Sequence, residues 1–120
     1  MKPIDIYYKF REELDKMVVP DIVESLECVE YIVCDGAIVG MVGGNPDYID
    51  IAYILPEYRR KGLTKRAVME WYKRYSNGST RLHIINKNTV AYKFWHKLFE
   101  LERIGSNPID TLYQITKAKE

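Results

Sequence analysis

The chain has 120 residues, of which 47% are hydrophobic and 29% are charged, and its 18 basic and 17 acidic residues leave a net charge of +1. This composition indicates one ordinary globular domain over residues 1–120 and excludes a strongly basic nucleic-acid binder. No apolar run approaches the ~20 residues of a membrane span, and the first five residues lack the apolar core of a signal peptide. We therefore expect a cytoplasmic protein that binds neither nucleic acid nor membrane.

The two cysteines, Cys28 and Cys34, are six residues apart and have neither a CxxC spacing nor a histidine pattern around them. This spacing argues against a zinc site and against a disulfide framework. We expect two reduced thiols and no metal site.

Hydrophobic periodicity and turn signals divide the chain into ten elements. Asp35 and Gly36 form one of the strongest short-range hairpin signals, and Asn88 has the residue type of a helix cap. The predicted order is a helix over 4–18, a short helix over 22–26, strands over 28–34 and 37–42, a loose turn over 43–47, a strand over 48–55, a helix over 62–75, a strand over 80–85, a helix after Asn88, and a hairpin with strands over 101–104 and 109–116. A strand, a helix and a further strand in succession favour a parallel pair joined by a right-handed crossover.

The stretch over residues 55–64 leaves a strand and opens a helix, with a glycine among cations between them. The first backbone N–H groups of a helix lack internal partners. Together with the helix dipole and the charges of Arg59, Arg60 and Lys61, they would hold an anion, most naturally a phosphate. Gly62 allows close approach of the backbone. The alternative is an ordinary solvated turn.

Arg59-x-x-Gly62-x-Thr64, after Pro56-Glu57-Tyr58, resembles the pyrophosphate loop of the GNAT superfamily, the acyl-CoA-dependent N-acyltransferases. The family pattern is Gln or Arg, two residues, Gly, one residue, then Gly or Ala, so Thr64 departs at the last position. A second stretch, Leu82-x-Ile84-x-x-x-Asn88-x-x-Ala91-x-x-Phe94-Trp95, resembles the family's fifth strand and following helix. The two motifs have the family's order and separation, and the resemblance covers residues 28–116.

The resemblance implies an α/β (α+β) fold with a mixed, mostly antiparallel sheet, splayed central parallel strands and helices on both faces. It also implies acetyl-CoA as the cofactor, with backbone groups of Ile54 and Leu55 free to bond the pantetheine arm and Asn88 touching that arm. The residues assigned to cofactor binding are Ile54, Leu55, Arg59, Arg60, Lys61, Gly62, Leu63, Thr64, Asn88 and Trp95.

Transfer to an amine requires a base that takes a proton, an acid that meets the leaving thiolate, and a donor to the developing oxyanion. The family's acidic residue early in the fourth strand is matched by Asp50, whose alternative role is a solvent-facing strand residue. The family's tyrosine acid would align with Trp95, whose indole N–H is not a useful proton donor, so a core role for Trp95 is favoured.

Tyr92 and Tyr53 are the candidate substitutes for this acid. His83 and His96 are expected to be surface or strand residues.

Three functions stay open at this point. The leading one is an N-acetyltransferase that acts on a primary amine of a small molecule or a protein, as a monomer or a homodimer. The second is an acyl-CoA-binding module without turnover, and the third is an interaction protein whose basic turn contacts a partner. The acceptor would be recognised around residues 24–30 and 43–47, where the sequence carries no motif.

Overall fold

A computed structural model describes residues 27–119 of the chain. In this range the elements are β1 (Cys28–Cys34), β2 (Ala37–Asn45), β3 (Tyr48–Ile54), a short 3-10 helix (Pro56–Tyr58), α1 (Leu63–Tyr75), β4 (Arg81–Ile85), α2 (Thr89–Leu98), β5 (Phe99–Ser106) and β6 (Asp110–Ala118). The predicted order is confirmed from β1 onward. The helices predicted over 4–18 and 22–26 lie outside the described residues.

The strands form one mixed sheet in the order β1-β2-β3-β4-β6-β5. β1 and β2 are antiparallel, as are β4 and β6 and also β5 and β6. β3 and β4 are parallel and pair at Tyr48 and Arg81. The predicted mixed and mostly antiparallel sheet is confirmed. Of the described residues, 27–45 and 49–75 form one compact unit, and 46–48 and 76–119 form a second.

In the first unit, the helix predicted over 62–75 forms α1, which packs against β1 and β2 through its apolar side. Ala67, Val68 and Trp71 are buried. The Trp71 indole N–H donates to the Cys28 carbonyl at 3.1 Å, which satisfies the one polar atom of a fully buried ring. An ion pair between Arg74 and Glu30, 3.1 Å from nitrogen to oxygen, lies on the exposed side of the same contact.

The hairpin between β1 and β2 confirms the turn at Asp35 and Gly36, whose φ angles are +51° and +81°. The loose turn predicted over 43–47 is wrong, because Gly43 and Gly44 continue β2 and pair with Val29 and Cys28. Glycine favours turns in sequence patterns, but the antiparallel partner strand supplies the hydrogen bonds that keep both residues extended. The turn itself is confined to residues 46 and 47.

In the second unit, α2 contributes Trp95 and Leu98 to a core that includes Leu82 and Ile84 of β4. The hairpin of β5 and β6 is longer than predicted, since its pairing runs from Phe99 opposite Ala118 to Ser106 opposite Thr111, with two irregularities in register. Neither helix of the described range is long and apolar enough to cross a membrane.

Candidate active site

The connection from β3 to α1 is ordered by backbone hydrogen bonds within the first unit. The Leu55 N–H donates to the Val39 carbonyl at 2.9 Å, so the chain stays attached to β2 just past the end of β3. The Leu55 carbonyl then accepts from the Tyr58 N–H at 3.0 Å, and the Pro56 carbonyl accepts from the Arg59 N–H at 3.2 Å. These two bonds close the short 3-10 helix. The strand therefore stops before Pro56, as the sequence predicted.

Two residues in the left-handed region follow this helix. Gly62 has a φ of +77°, as expected for the glycine of a tight turn, and Arg60 has a φ of +65°. A left-handed arginine is uncommon and costs conformational energy, and such residues concentrate at functional sites. Nothing in the sequence indicated it, because arginine has no preference for this region.

Among residues 27–119, no side chain caps the first turn of α1. Gly62 has no side chain, no acidic residue lies in the first turn, and the Gly62 carbonyl accepts the Arg66 N–H at 3.2 Å. Within residues 27–119, the N–H groups of Leu63, Thr64 and Lys65 make no hydrogen bond. Unpaired N–H groups and the positive end of the helix dipole attract an anion.

The cations of this turn differ in where their side chains lie. All three side chains are exposed, and the Lys61 ammonium lies 5.6 Å from the centre of the Tyr58 ring, next to the helix start. The Arg59 side chain instead turns back to the end of β3, where its Nε donates to the Ile54 carbonyl at 3.1 Å. Its guanidinium carbon lies 5.5 Å from the centre of the Tyr53 ring. The sequence prediction had grouped all three cations at one anion site.

The expectation of free backbone groups at Ile54 and Leu55 is wrong for three of them. The Ile54 carbonyl accepts from Arg59, and the N–H and carbonyl of Leu55 are bonded to Val39 and Tyr58. All three bonds lie inside the first unit. The contact of these two residues with a pantetheine arm stays a prediction.

Asp50 is exposed on β3, between the buried side chains of Ile49 and Ile51. Nearby protein atoms remove part of the water around its carboxyl group, and this desolvation raises the pKa of Asp50 above its ordinary value. Among the described residues no group of histidines, cysteines and acids is arranged to hold a metal ion.

In the second unit, Asn88 caps α2 as predicted. Its side-chain oxygen accepts from the Ala91 N–H at 2.9 Å, and its own N–H donates to the Ile85 carbonyl at 2.9 Å. The oxygen is thus used by the helix. Its amide NH2 group makes no hydrogen bond within residues 27–119 and is the part of the side chain that could donate to a ligand.

The aromatic residues of α2 separate into a buried and an exposed set. Trp95 is 8% exposed and stacks on Phe99 at a centroid distance of 6.2 Å, which confirms the favoured core role. Tyr92 is 49% exposed and stacks on His96 at 3.9 Å. The phenol of Tyr92 is therefore accessible, whereas Tyr53 in the first unit is buried at 7% exposure.

The two histidines have the surface positions that the sequence predicted. His83 is exposed on β4, where its Nδ1 is hydrogen-bonded to the Tyr48 hydroxyl. His96 is half-buried, and its Nδ1 donates to the Tyr92 carbonyl at 2.9 Å, one helical turn back.

Gly40 is a structural requirement of this region that the sequence did not reveal. A Cβ atom at Gly40 would lie 2.4 Å from the Tyr53 carbonyl oxygen and 2.9 Å from the Ile54 Cα. Only glycine allows β2 and the end of β3 to approach this closely. The sequence alone does not indicate this requirement, because it depends on the neighbouring strand and not on the residues around Gly40.

Comparison with solved structures shows a shared fold. Arabidopsis thaliana NAA60, solved in complex with a bisubstrate analogue, aligns with a TM-score of 0.62 at 15% identity, over 95% of this chain and 93% of that one. A Klebsiella pneumoniae protein described as an acyl-CoA N-acyltransferase aligns with a TM-score of 0.57 at 15% identity, over 96% and 86% of the two chains. Comparison with curated proteins found no match.

The model of the acetyltransferase (GNAT) family matches residues 5–100. The match spans most of the chain and contains both stretches that carry the sequence resemblance. The chain therefore belongs to the acetyltransferase (GNAT) family, whose members transfer an acyl group from acyl-CoA to an amine.

Proposed function

We propose that the protein transfers an acetyl group from acetyl-CoA to a primary amine of a small molecule or a protein. The observation that carries this proposal is the uncapped start of α1, where N–H groups without a partner in residues 27–119 follow two left-handed residues and two exposed cations. Such a turn matches the charge and the acceptor geometry of a pyrophosphate. Family membership supplies the reaction class.

The pyrophosphate is proposed to bind the turn over residues 60–64. The side chains of Arg60 and Lys61 supply charge, and the N–H groups of Leu63 and Thr64 supply directed hydrogen bonds. Thr64 is half-buried, and its hydroxyl adds a further donor. In this role Thr64 replaces the smaller residue of the family pattern without loss of the N–H group.

Asp50 is proposed as the base, because an amine must lose a proton before it attacks a thioester. A carboxylate with a raised pKa accepts that proton, directly or through one water, more readily than an ordinary aspartate does. Tyr92 is proposed as the acid that protonates the departing thiolate. Its exposure supports it over the buried Tyr53.

A thermal melt with and without CoA and acetyl-CoA tests cofactor binding. A ligand that binds only the folded state at about 100 times its Kd adds about 2.7 kcal/mol to stability, which is a rise in Tm of several degrees for this length. We expect that rise. No shift at millimolar cofactor would overturn the proposal and leave an interaction role.

Turnover is tested by amine-dependent release of free thiol from acetyl-CoA, with a panel of primary amines, peptides and polyamines. We expect release that requires both the amine and the protein. A protein that is stabilised by CoA but releases no thiol with any amine would be a binding module, and this outcome would overturn the enzymatic proposal.

A further inference from the structure

Arg59 closes the segment over residues 54–59 with two hydrogen bonds. Its backbone N–H closes the 3-10 helix on the Pro56 carbonyl at 3.2 Å, and its side-chain Nε reaches the Ile54 carbonyl at 3.1 Å. The guanidinium carbon also lies over the Tyr53 ring, at 5.5 Å from its centre. The next residue is the left-handed Arg60, so these contacts set the direction in which the chain enters the turn.

We infer that Arg59 is a positioning residue for acyl transfer and not a ligand of the pyrophosphate. This inference rests on the proposed function. Arg59 holds the end of β3 and the entrance to the anion-binding turn in one arrangement, while Arg60 and Lys61 meet the phosphate charge. Small displacements of positioning groups lower transfer rates strongly, so the residue acts on the reaction without touching the substrate.

The two roles make opposite demands on the side chain at this position. In glutamine the amide nitrogen is the fourth side-chain atom from the backbone, which is the position of Nε in arginine, so glutamine can donate to the Ile54 carbonyl without a charge. Lysine has a carbon at that position and keeps the charge one atom farther out. A positioning role therefore tolerates Arg59→Gln better than Arg59→Lys, and a phosphate-binding role tolerates Arg59→Lys better.

The experiment compares acetyl-CoA with S-acetyl-pantetheine, which lacks every phosphate. We expect Arg59→Lys to lower kcat/KM roughly tenfold or more, and by the same factor with both donors. In Arg59→Gln, kcat/KM should stay within about threefold of the wild-type value. Lys61→Gln is the matched phosphate-side variant, and we expect it to lower kcat/KM with acetyl-CoA only. Lys117→Gln, at an exposed position of β6, controls for loss of a positive charge.

Loss of activity with acetyl-CoA alone in Arg59→Gln, with retention in Arg59→Lys, would overturn the inference. A wild type that uses neither donor would overturn the proposed function. Hydrogen exchange of the backbone amides tests the positioning role in that case. The amides of Tyr58 and of residue 59 should exchange faster than in the wild type in Arg59→Lys, and at the wild-type rate in Arg59→Gln. Unchanged exchange in both variants would overturn it. Melting curves of all variants separate these effects from general loss of fold.

Discussion

The two helices of the described range begin in different ways, although each follows a strand and a short turn. α2 is capped by the side chain of Asn88, which accepts the Ala91 N–H at 2.9 Å. α1 follows Gly62, which has no side chain, and its first three N–H groups have no partner within residues 27–119. The cap of α2 thus satisfies one of its first donors, whereas the structure of residues 27–119 offers no partner to the first three of α1.

This difference indicates that a missing cap can be informative about function. A side-chain cap is worth only a few tenths of a kcal/mol more than a glycine at the same position, so the lack of one at α1 within residues 27–119 is a small cost that a bound anion would offset. The surrounding cations and the left-handed Arg60 point to the same ligand class. Substitutions at and around the two helix starts test this difference between α1 and α2. We expect the largest effect on CoA binding at Gly62.

Gly62→Glu should abolish CoA binding, with a loss in affinity of at least about 100-fold, since a carboxylate would occupy the phosphate position and be attracted to the same N–H groups. Gly78→Glu is a matched control. Both glycines have a positive φ, +77° and +88°, and a Cβ atom at either position would meet no other atom within 4 Å. Isothermal titration with CoA should show binding by Gly78→Glu only. Retained affinity in Gly62→Glu would contradict the assignment of the turn.

Gly40→Ala should destabilise the fold by about 1–3 kcal/mol, because its Cβ would collide with the Tyr53 carbonyl and the Ile54 Cα. Denaturant unfolding measures this loss. Gly105→Ala is the control, since a Cβ atom there meets nothing within 4 Å. Equal stability of the two variants would show that the end of β3 is not held as described.

Asn88→Ala should cost about 1 kcal/mol through loss of the cap on α2, which lowers the Tm by roughly 3–6 °C. Asn88→Asp keeps the accepting oxygen and removes the amide donor. We expect Asn88→Asp to melt close to the wild type and to bind CoA more weakly, which would separate the cap from the proposed cofactor contact. A normal CoA affinity in Asn88→Asp would remove Asn88 from the site.

Asp50→Asn should have the smallest effect on stability, within about 0.5 kcal/mol, because the residue is exposed. The sign follows from the raised pKa of Asp50 in the folded state. The folded protein binds this proton more tightly than the unfolded chain does. The favourable contribution is therefore present below the ordinary pKa of 3.8 and is lost as the pH rises through the raised value.

The asparagine variant should therefore be slightly more stable than the wild type at pH 7, and the difference should vanish below pH ~4. Melts of both proteins across this range measure it. If Asp50 is the base, the same variant should lower kcat at least about 100-fold and leave CoA affinity unchanged. A variant with the wild-type kcat would contradict the role.

Local signals in the sequence predicted the elements that depend on neighbouring residues alone. The turn at Asp35 and Gly36, the cap at Asn88 and the helix over 62–75 are of this kind. Features that depend on a distant strand could not be predicted. Gly43 and Gly44 are extended because β1 pairs with them, and Gly40 is required because β3 lies against it.

The same limit applies to the candidate site. The spacing of Arg59, Gly62 and Thr64 predicted an anion-binding turn, but charge alone gave no reason to separate Arg59 from Arg60 and Lys61. The Arg59 side chain is set apart by its contacts with the carbonyl of Ile54 and the ring of Tyr53. These contacts exist only because β3 ends beside the turn. Likewise, the exposure that distinguishes Tyr92 from Tyr53 is a property of the packed units.

We propose above all that the N–H groups at the start of α1, which have no partner within residues 27–119, bind the pyrophosphate of acyl-CoA. An NMR titration that follows the backbone amides of Leu63, Thr64 and Lys65 tests it most directly, with CoA as ligand and pantetheine as the phosphate-free control. We predict that these amides shift with CoA and stay in place with pantetheine. Saturation by CoA with unmoved amides at these three residues would contradict the claim.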